Sequence, residues 1–164
     1  MHKVLLSVLL GLVLVAGGSS VAFALQSGGY TVGDRETGSV VGQPFNSLDV
    51  DLEFTAVELG GKKAWYPGTA ILDLRNQGTM GRRGQPILIK VTNGLKVQHG
   101  FSLSADSAFA GPTSMQIKIT LEAGETKYIG IAMSDFTYVT ASGNLKVKCQ
   151  LHPAHLSSNL LVLK

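Results

Sequence analysis

Residues 145–163 read LKVKCQLHPAHLSSNLLVL. Leu145, Val147 and Cys149 alternate with Lys146 and Lys148, the period of a half-buried strand. Leu160 to Leu163 form a second short β-type run. Between the two runs stands Pro153, which lacks a backbone donor and disfavours a helix in which Cys149, His152 and His155 would fall at i, i+3 and i+6. The segment therefore reads as a strand ending at Cys149, a tight loop, and a closing strand from about Asn159.

The same grammar extends back along the chain. Val50, Leu52 and Phe54 alternate with Asp49, Asp51 and Glu53. Ile87, Ile89 and Val91 alternate around Lys90, and Ile117, Ile119 and Leu121 around Lys118 and Thr120. Tyr128 to Ile131 is a further run. Pro67-Gly68, Asn93-Gly94, Gly111-Pro112, Gly124-Glu125 and Gly143-Asn144 punctuate these runs. Seven to eight short strands at this spacing predict an all-β antiparallel sandwich or barrel. No amphipathic helix of three turns is visible, and no internal repeat. The Gly- and Ser-rich segment 26–47 reads as a loosely held arm or edge, and 76–85 as a long loop. Lys62-Lys63 and Arg82-Arg83 read as solvated loop charges, Trp65-Tyr66 as a strand-end core pair, and Met133 as core.

The first residues set the compartment. Lys3 precedes an apolar run from Val4 to Ala16, and Ala22-Phe23-Ala24 has the small-x-small form of a cleavage site. That is the layout of a secretory signal peptide over residues 1–24. Gly17 to Ser20 break the run short of the roughly 20 apolar residues a membrane span needs. An uncleaved anchor is the lesser alternative. The expectation is an exported protein, periplasmic or extracellular, with one domain over 25–164. The 14 basic and 11 acidic residues of the full chain become 13 and 11 without Lys3. So mild a charge gives no case for nucleic acid.

An exported chain with one cysteine cannot form an internal disulfide, so its thiol is intermolecular, free or bound to something. Taken singly, a buried Cys behaves as a small hydrophobe and a strand His as an ordinary polar residue. Their clustering changes that reading. Thiolate and imidazole together suit copper or zinc over calcium or magnesium. A compact loop can turn Cys149, His152 and His155 toward one point. With His2 lost in the signal peptide, His99 is the remaining imidazole. A site of Cys149 with His99, His152 and His155 uses every histidine of the mature chain.

On these residues the sequence resembles the cupredoxins over about residues 49–163. Members carry an early His after a strand ending in Asn, matched here by Asn93 and His99. They also carry a late Cys-x-x-His before an axial Met and a closing strand. Cys149 and His152 match that Cys and His. His155 stands where the shortest such loops place the Met, which is the main departure. Within the family, "HGFSL", "EAGETK" and "CQLHP" look most like the nitrosocyanin-like red copper proteins, although those carry an acidic ligand where His99 stands.

The resemblance implies a Greek-key β-sandwich or barrel of cupredoxin type. It implies one copper per chain, Cu(I)/Cu(II), held by His99, Cys149, His152 and His155. It implies one-electron transfer in place of enzymatic turnover. It places the His152 ring edge at the surface, inside an apolar rim of Leu151, Pro153, Ala154 and Leu156. A redox partner such as a cytochrome or copper oxidoreductase would dock there, and a homo-oligomer is compatible. An imidazole in place of the thioether favours Cu(II) and lowers the potential. The Gly100 N–H is expected to approach the Cys149 sulfur and tune its donation. Two other readings stand beside the carrier. One is a nitrosocyanin-like site that binds or converts a small molecule such as nitric oxide. The other is copper storage or delivery.

Overall fold

The computed structural model describes residues 45–75, 86–105, 116–131, 133 and 143–163, with two-residue backbone pairings between 26 and 44. Nine strands carry the fold among the described residues 45–163: β1 (Leu52–Leu59), β2 (Lys62–Tyr66), β3 (Thr69–Asp73), β4 (Ile87–Asn93), β5 (His99–Ala105), β6 (Gln116–Leu121), β7 (Thr126–Ile131), β8 (Asn144–Lys148) and β9 (Ser158–Leu163). A single 3-10 turn, Phe45–Ser47, precedes them.

The strands form two sheets. One runs β6-β5-β8-β9-β3. The other runs β7-β4-β1-β2, with Asp34–Arg35 paired outside β7. Most neighbours are antiparallel, as the sequence predicts. Two pairs are not: β1 runs parallel to β4, and β9 parallel to β3. Each parallel pair joins strands from separate parts of the chain, and alternation within a strand carries no information about its neighbour's direction.

Alternation does decide which residues meet between the sheets. Phe101, Leu103, Ile117, Leu121, Leu145, Val147 and Leu160 from one sheet face Phe54, Ile89, Val91, Ile129 and Ile131 from the other, all fully buried. Each contributes about 2–3 kcal/mol by leaving water. Phe101 is the hub. Its ring lies 5.8 Å from Phe54 and 5.2 Å from Trp65, the latter nearly perpendicular at 87°. At the margin, the Phe45 ring lies against Gly130. A Cβ there would come within 2.4 Å of the Phe45 ring.

The structure amends several expectations. Lys62 and Lys63 lie on β2 and not in a loop. Their strand has one buried residue, Trp65, so alternation is too weak to reveal it. Trp65 belongs to the core, but Tyr66 is 58 % exposed, because neighbouring strand residues face opposite ways. β3 is an edge strand with a single buried position, Leu72, and also escaped the pattern. Met133 packs against the core as expected. Residues 1–24, Arg82-Arg83 and the 76–85 loop lie outside the described residues. Among the described residues no helix is long and apolar enough to cross a membrane.

Candidate metal centre

His99, Cys149, His152 and His155 come together at one end of the sandwich. One donor atom from each lies within 4.8 Å of every other. His99 opens β5 opposite Leu121 and is buried. Cys149 is the next inward position after Leu145 and Val147 on β8, and is also buried. His152 and His155 are half-buried on the loop that follows.

Local chemistry sets each donor. The His155 N–H donates to the His152 carbonyl (3.0 Å), closing the turn that Pro153 enforces. Leu156 is stitched to β2: its N–H donates to the Lys63 carbonyl (2.9 Å), and its carbonyl accepts from the Trp65 N–H (3.2 Å). The loop is thus tied to the opposite sheet. On the His99 side, Asn93 ends β4 fully buried. Its Nδ2 donates to the carbonyls of Val97 (2.8 Å), Glu122 (2.9 Å) and Leu121 (3.2 Å). Its Oδ1 accepts from the Leu95 N–H (3.1 Å). One side chain therefore fixes the loop that delivers His99 and the end of β6. Gly94 lies close under β1; a Cβ there would come 2.8 Å from the Ala56 carbonyl oxygen.

The three imidazoles gather around a common point, His152 stacked on His155 at 30° and His99 tilted against both. Ring centroids are 4.6 Å apart for His99–His155 and His152–His155, and 5.0 Å for His99–His152. His152 Nδ1 lies 3.4 Å from the Cys149 sulfur. A tetrahedral ion bound by nitrogen and sulfur would set such donors roughly 3.3–3.6 Å apart. Burial pushes the pKa values of His99 and His155 below the ordinary imidazole range. Neighbouring imidazoles and the Lys63 charge add to the shift, and the Gln98 carbonyl partly opposes it at His99. Both rings therefore stay neutral at neutral pH, with a lone pair free.

His99 tests whether a metal fits. Its Nδ1 donates to the Gln98 carbonyl at 2.8 Å, since a carbonyl can only accept. The lone pair then resides on Nε2, which is buried and has no hydrogen-bond partner. An unpaired buried acceptor costs about 1–3 kcal/mol, and it faces a cluster of three further donors. A soft ion answers that vacancy in bonding. Thiolate plus imidazole is the donor chemistry of copper and zinc.

All four expected residues are brought together. One neighbour behaves otherwise than expected: Gly100 makes no hydrogen bond to the sulfur among the described residues. Instead Gln150 lies across it. A Cβ on Gly100 would meet Gln150 Cγ at 2.7 Å and the Gln150 backbone nitrogen at 3.2 Å. The Gln150 side chain is anchored by its Nε2 donating to the Ile119 carbonyl (3.2 Å). Gln150 and Lys63 carried no signal in the sequence, because both act through long-range packing.

The architecture and the cluster define a class: a two-sheet β-sandwich with a cysteine–histidine metal cluster at one end of its sheets. No family model matches the chain and no curated protein matches it. The solved structures similar to it are cupredoxins. The novel purple cupredoxin from Nitrosopumilus maritimus shares 15 % identity over 68 % of this chain and 99 % of its own, at a TM-score of 0.43. Dithionite-reduced auracyanin from Roseiflexus castenholzii shares 16 % over 72 % of this chain and 100 % of its own, at 0.44. Auracyanin A, a blue copper protein from Chloroflexus aurantiacus, shares 16 % over 67 % of this chain and 95 % of its own, at 0.41. These identities are low, and the chemistry of the site rests on its own donors.

Proposed function

We propose that this chain is an exported, cupredoxin-like electron carrier that binds one copper ion through His99, Cys149, His152 and His155. The observation that carries the reading is the convergence of these four donors within 4.8 Å, with a buried and unpaired His99 Nε2 among them. Bound copper would supply a one-electron couple between Cu(I) and Cu(II). The chain supplies the rest. Asn93 fixes His99, the Leu156 stitch fixes the far end of the loop, and the Pro153 turn sets His152 against His155. Donors held this firmly move little when the charge of the bound ion changes, which is what rapid electron exchange requires. His155 puts a harder donor where a thioether would stand, which favours the oxidised ion.

His152 is half-buried, with Leu151 and Leu156 exposed beside it at 41 % and 49 %. That apolar rim suits a transient redox partner. The apolar segment 1–24 supports export.

A second reading has its own supporting observation. A groove of about 520 Å³ adjoins Cys149 and His155, lined also by Ser102, Ser104, Lys148 and Ser157. A small molecule could reach the centre from there.

Optical and EPR spectra of the copper-loaded protein test the primary reading. A thiolate-to-copper charge-transfer band, absent in Cys149→Ser, and a reversible one-electron wave are expected. A Cys149→Ser variant that keeps the band would remove the site. Spectral change on adding nitric oxide, with sluggish electron exchange, would favour the second reading.

A further inference from the structure

The outer face of the sheet that carries Cys149 has a use of its own. Alternation sends Leu145, Val147 and Cys149 inward and sends Lys146 and Lys148 outward. Ser102 on β5 stands in register with Lys148 of β8 on one side and Lys118 of β6 on the other. Ser104 stands in register with Lys146. Adjacent strands lie about 4.8 Å apart and alternate residues along a strand about 6.8 Å apart. The backbone positions of Lys118, Lys146 and Lys148 therefore span a patch of roughly 10 by 7 Å.

At physiological ionic strength the screening length is about 8 Å. Three cations this close act on an approaching charge as one field. Among the described residues nothing neutralises them. Lys118 and Lys148 are exposed and form no ion pair, and Lys146 Nζ donates to the neutral Asn159 Oδ1 (2.5 Å). The acidic outward position of this sheet, Asp73, lies on the far edge strand and is bound by Arg75 at 2.8 Å. Toward that edge the same face turns apolar, with Ile71 60 % exposed. The basic half is thus a distinct surface.

It is joined to the metal centre in two ways. Lys148 is the residue before Cys149, so a few covalent bonds separate the face from the sulfur. The groove described above is lined both by Ser102, Ser104 and Lys148 of this face and by Cys149 and His155.

We propose that the β5-β6-β8 face is a second docking surface, for a redox protein that presents a cluster of carboxylates, and that the electron crosses there through Lys148 and Cys149. The occupant follows from charge: three unneutralised cations select an anionic surface and raise its rate of encounter. The proposal rests on the carrier reading, and its test has one arm that does not.

In the first arm, the copper(I)-loaded, nitrogen-15-labelled protein is titrated with hexacyanochromate, an inert paramagnetic trianion. Amide signals of Ser102, Ser104, Lys118 and Lys148 are expected to broaden first. The broadening should disappear in the triple Lys118→Gln/Lys146→Gln/Lys148→Gln variant, whose fold the same spectra report. Broadening centred on Lys62, Lys63 and Lys96, or broadening unaffected by the triple variant, overturns the proposal. In the second arm, the copper(I) protein is oxidised by ferricyanide and by a tris-phenanthroline cobalt(III) cation at low salt. Reversing the three charges to Glu should slow the anion at least tenfold and speed the cation. Anion binding without this rate response overturns the electron route. Failure to exchange electrons with either reagent sinks the carrier reading while leaving the first arm readable.

Discussion

Asn93→Ala should destabilise the metal-free protein by about 2–4 kcal/mol and loosen the metal site with it. The side chain is fully buried and serves four backbone groups: the carbonyls of Val97, Leu121 and Glu122 and the N–H of Leu95. Nδ2 has only two hydrogens, so the longest contact, to Leu121, is shared. Three effective bonds at about 1 kcal/mol each, with part of the cost of leaving buried carbonyls unpaired, give the range. Val97 and Glu122 lie near the surface and can recruit water, which keeps the figure from rising further. Asn93→Asp sharpens the test. It nearly preserves shape and keeps the acceptor for Leu95, but it turns a donor into an acceptor facing three carbonyls. It should cost at least as much as Ala at neutral pH. Urea unfolding of the metal-free variants measures both. In the copper-loaded form, Asn93→Ala should broaden the EPR signal, because the 94–98 loop no longer holds His99 in one place. A loss below about 1 kcal/mol, or an Asp variant more stable than Ala, would refute the role given to this side chain.

Three other outcomes are expected. His155→Met should shift the copper protein toward blue and raise its potential, since a thioether is the softer, weaker donor; an unchanged spectrum and potential would mean that His155 does not bind. Gly100→Ala should lower stability by about 1–2 kcal/mol, because the new methyl forces Gln150 off the Ile119 carbonyl, and should alter the charge-transfer bands; adding Gln150→Ala should recover part of the stability, and no recovery would point away from Gln150. For pH, His99 and His155 titrate below their unfolded value of about 6.5, so the unfolded chain binds more protons than the folded one. The stability this gives is present above about pH 6.5 and is lost as pH falls through the folded values. Urea midpoints of the metal-free protein should drop between pH 7.5 and 5, and less so in His99→Gln/His155→Gln; parallel profiles would sink the assignment.

The sequence carries the site more fully than it carries the fold. Cys149, His152 and His155 are local, and Pro153 alone dictates that their segment turns. His99 is remote, but only one imidazole remains once His2 is set aside, so elimination finds it. Strands β1, β4 and β6 to β9 announce themselves as short alternating or apolar runs; β5 does so less clearly, because His99 to Leu103 are all buried and leave no wet face. β2 and β3 do not, since each of these two edge strands buries a single residue and its period is lost. The parallel pairing of β1 with β4 and of β3 with β9 is also silent, because strand direction is decided by what the connections allow. Gln150 across Gly100 and Leu156 against β2 are contacts between segments distant in sequence. No pattern within one segment could state them.

The Leu156 stitch bears on which metal is acquired. Bonds to the Lys63 carbonyl and from the Trp65 N–H hold the loop to the opposite sheet without help from any ion. A socket assembled before its ion arrives accepts whatever soft ion fits, and copper and zinc both take nitrogen and sulfur. Affinity ranks copper above zinc, yet an ion that enters first is released slowly from four converging donors. Identity is then settled by timing: the chain takes the metal offered where it folds. Protein folded in a zinc-rich, copper-poor cytoplasm should carry zinc. The same chain folded after export, where copper is supplied, should carry copper.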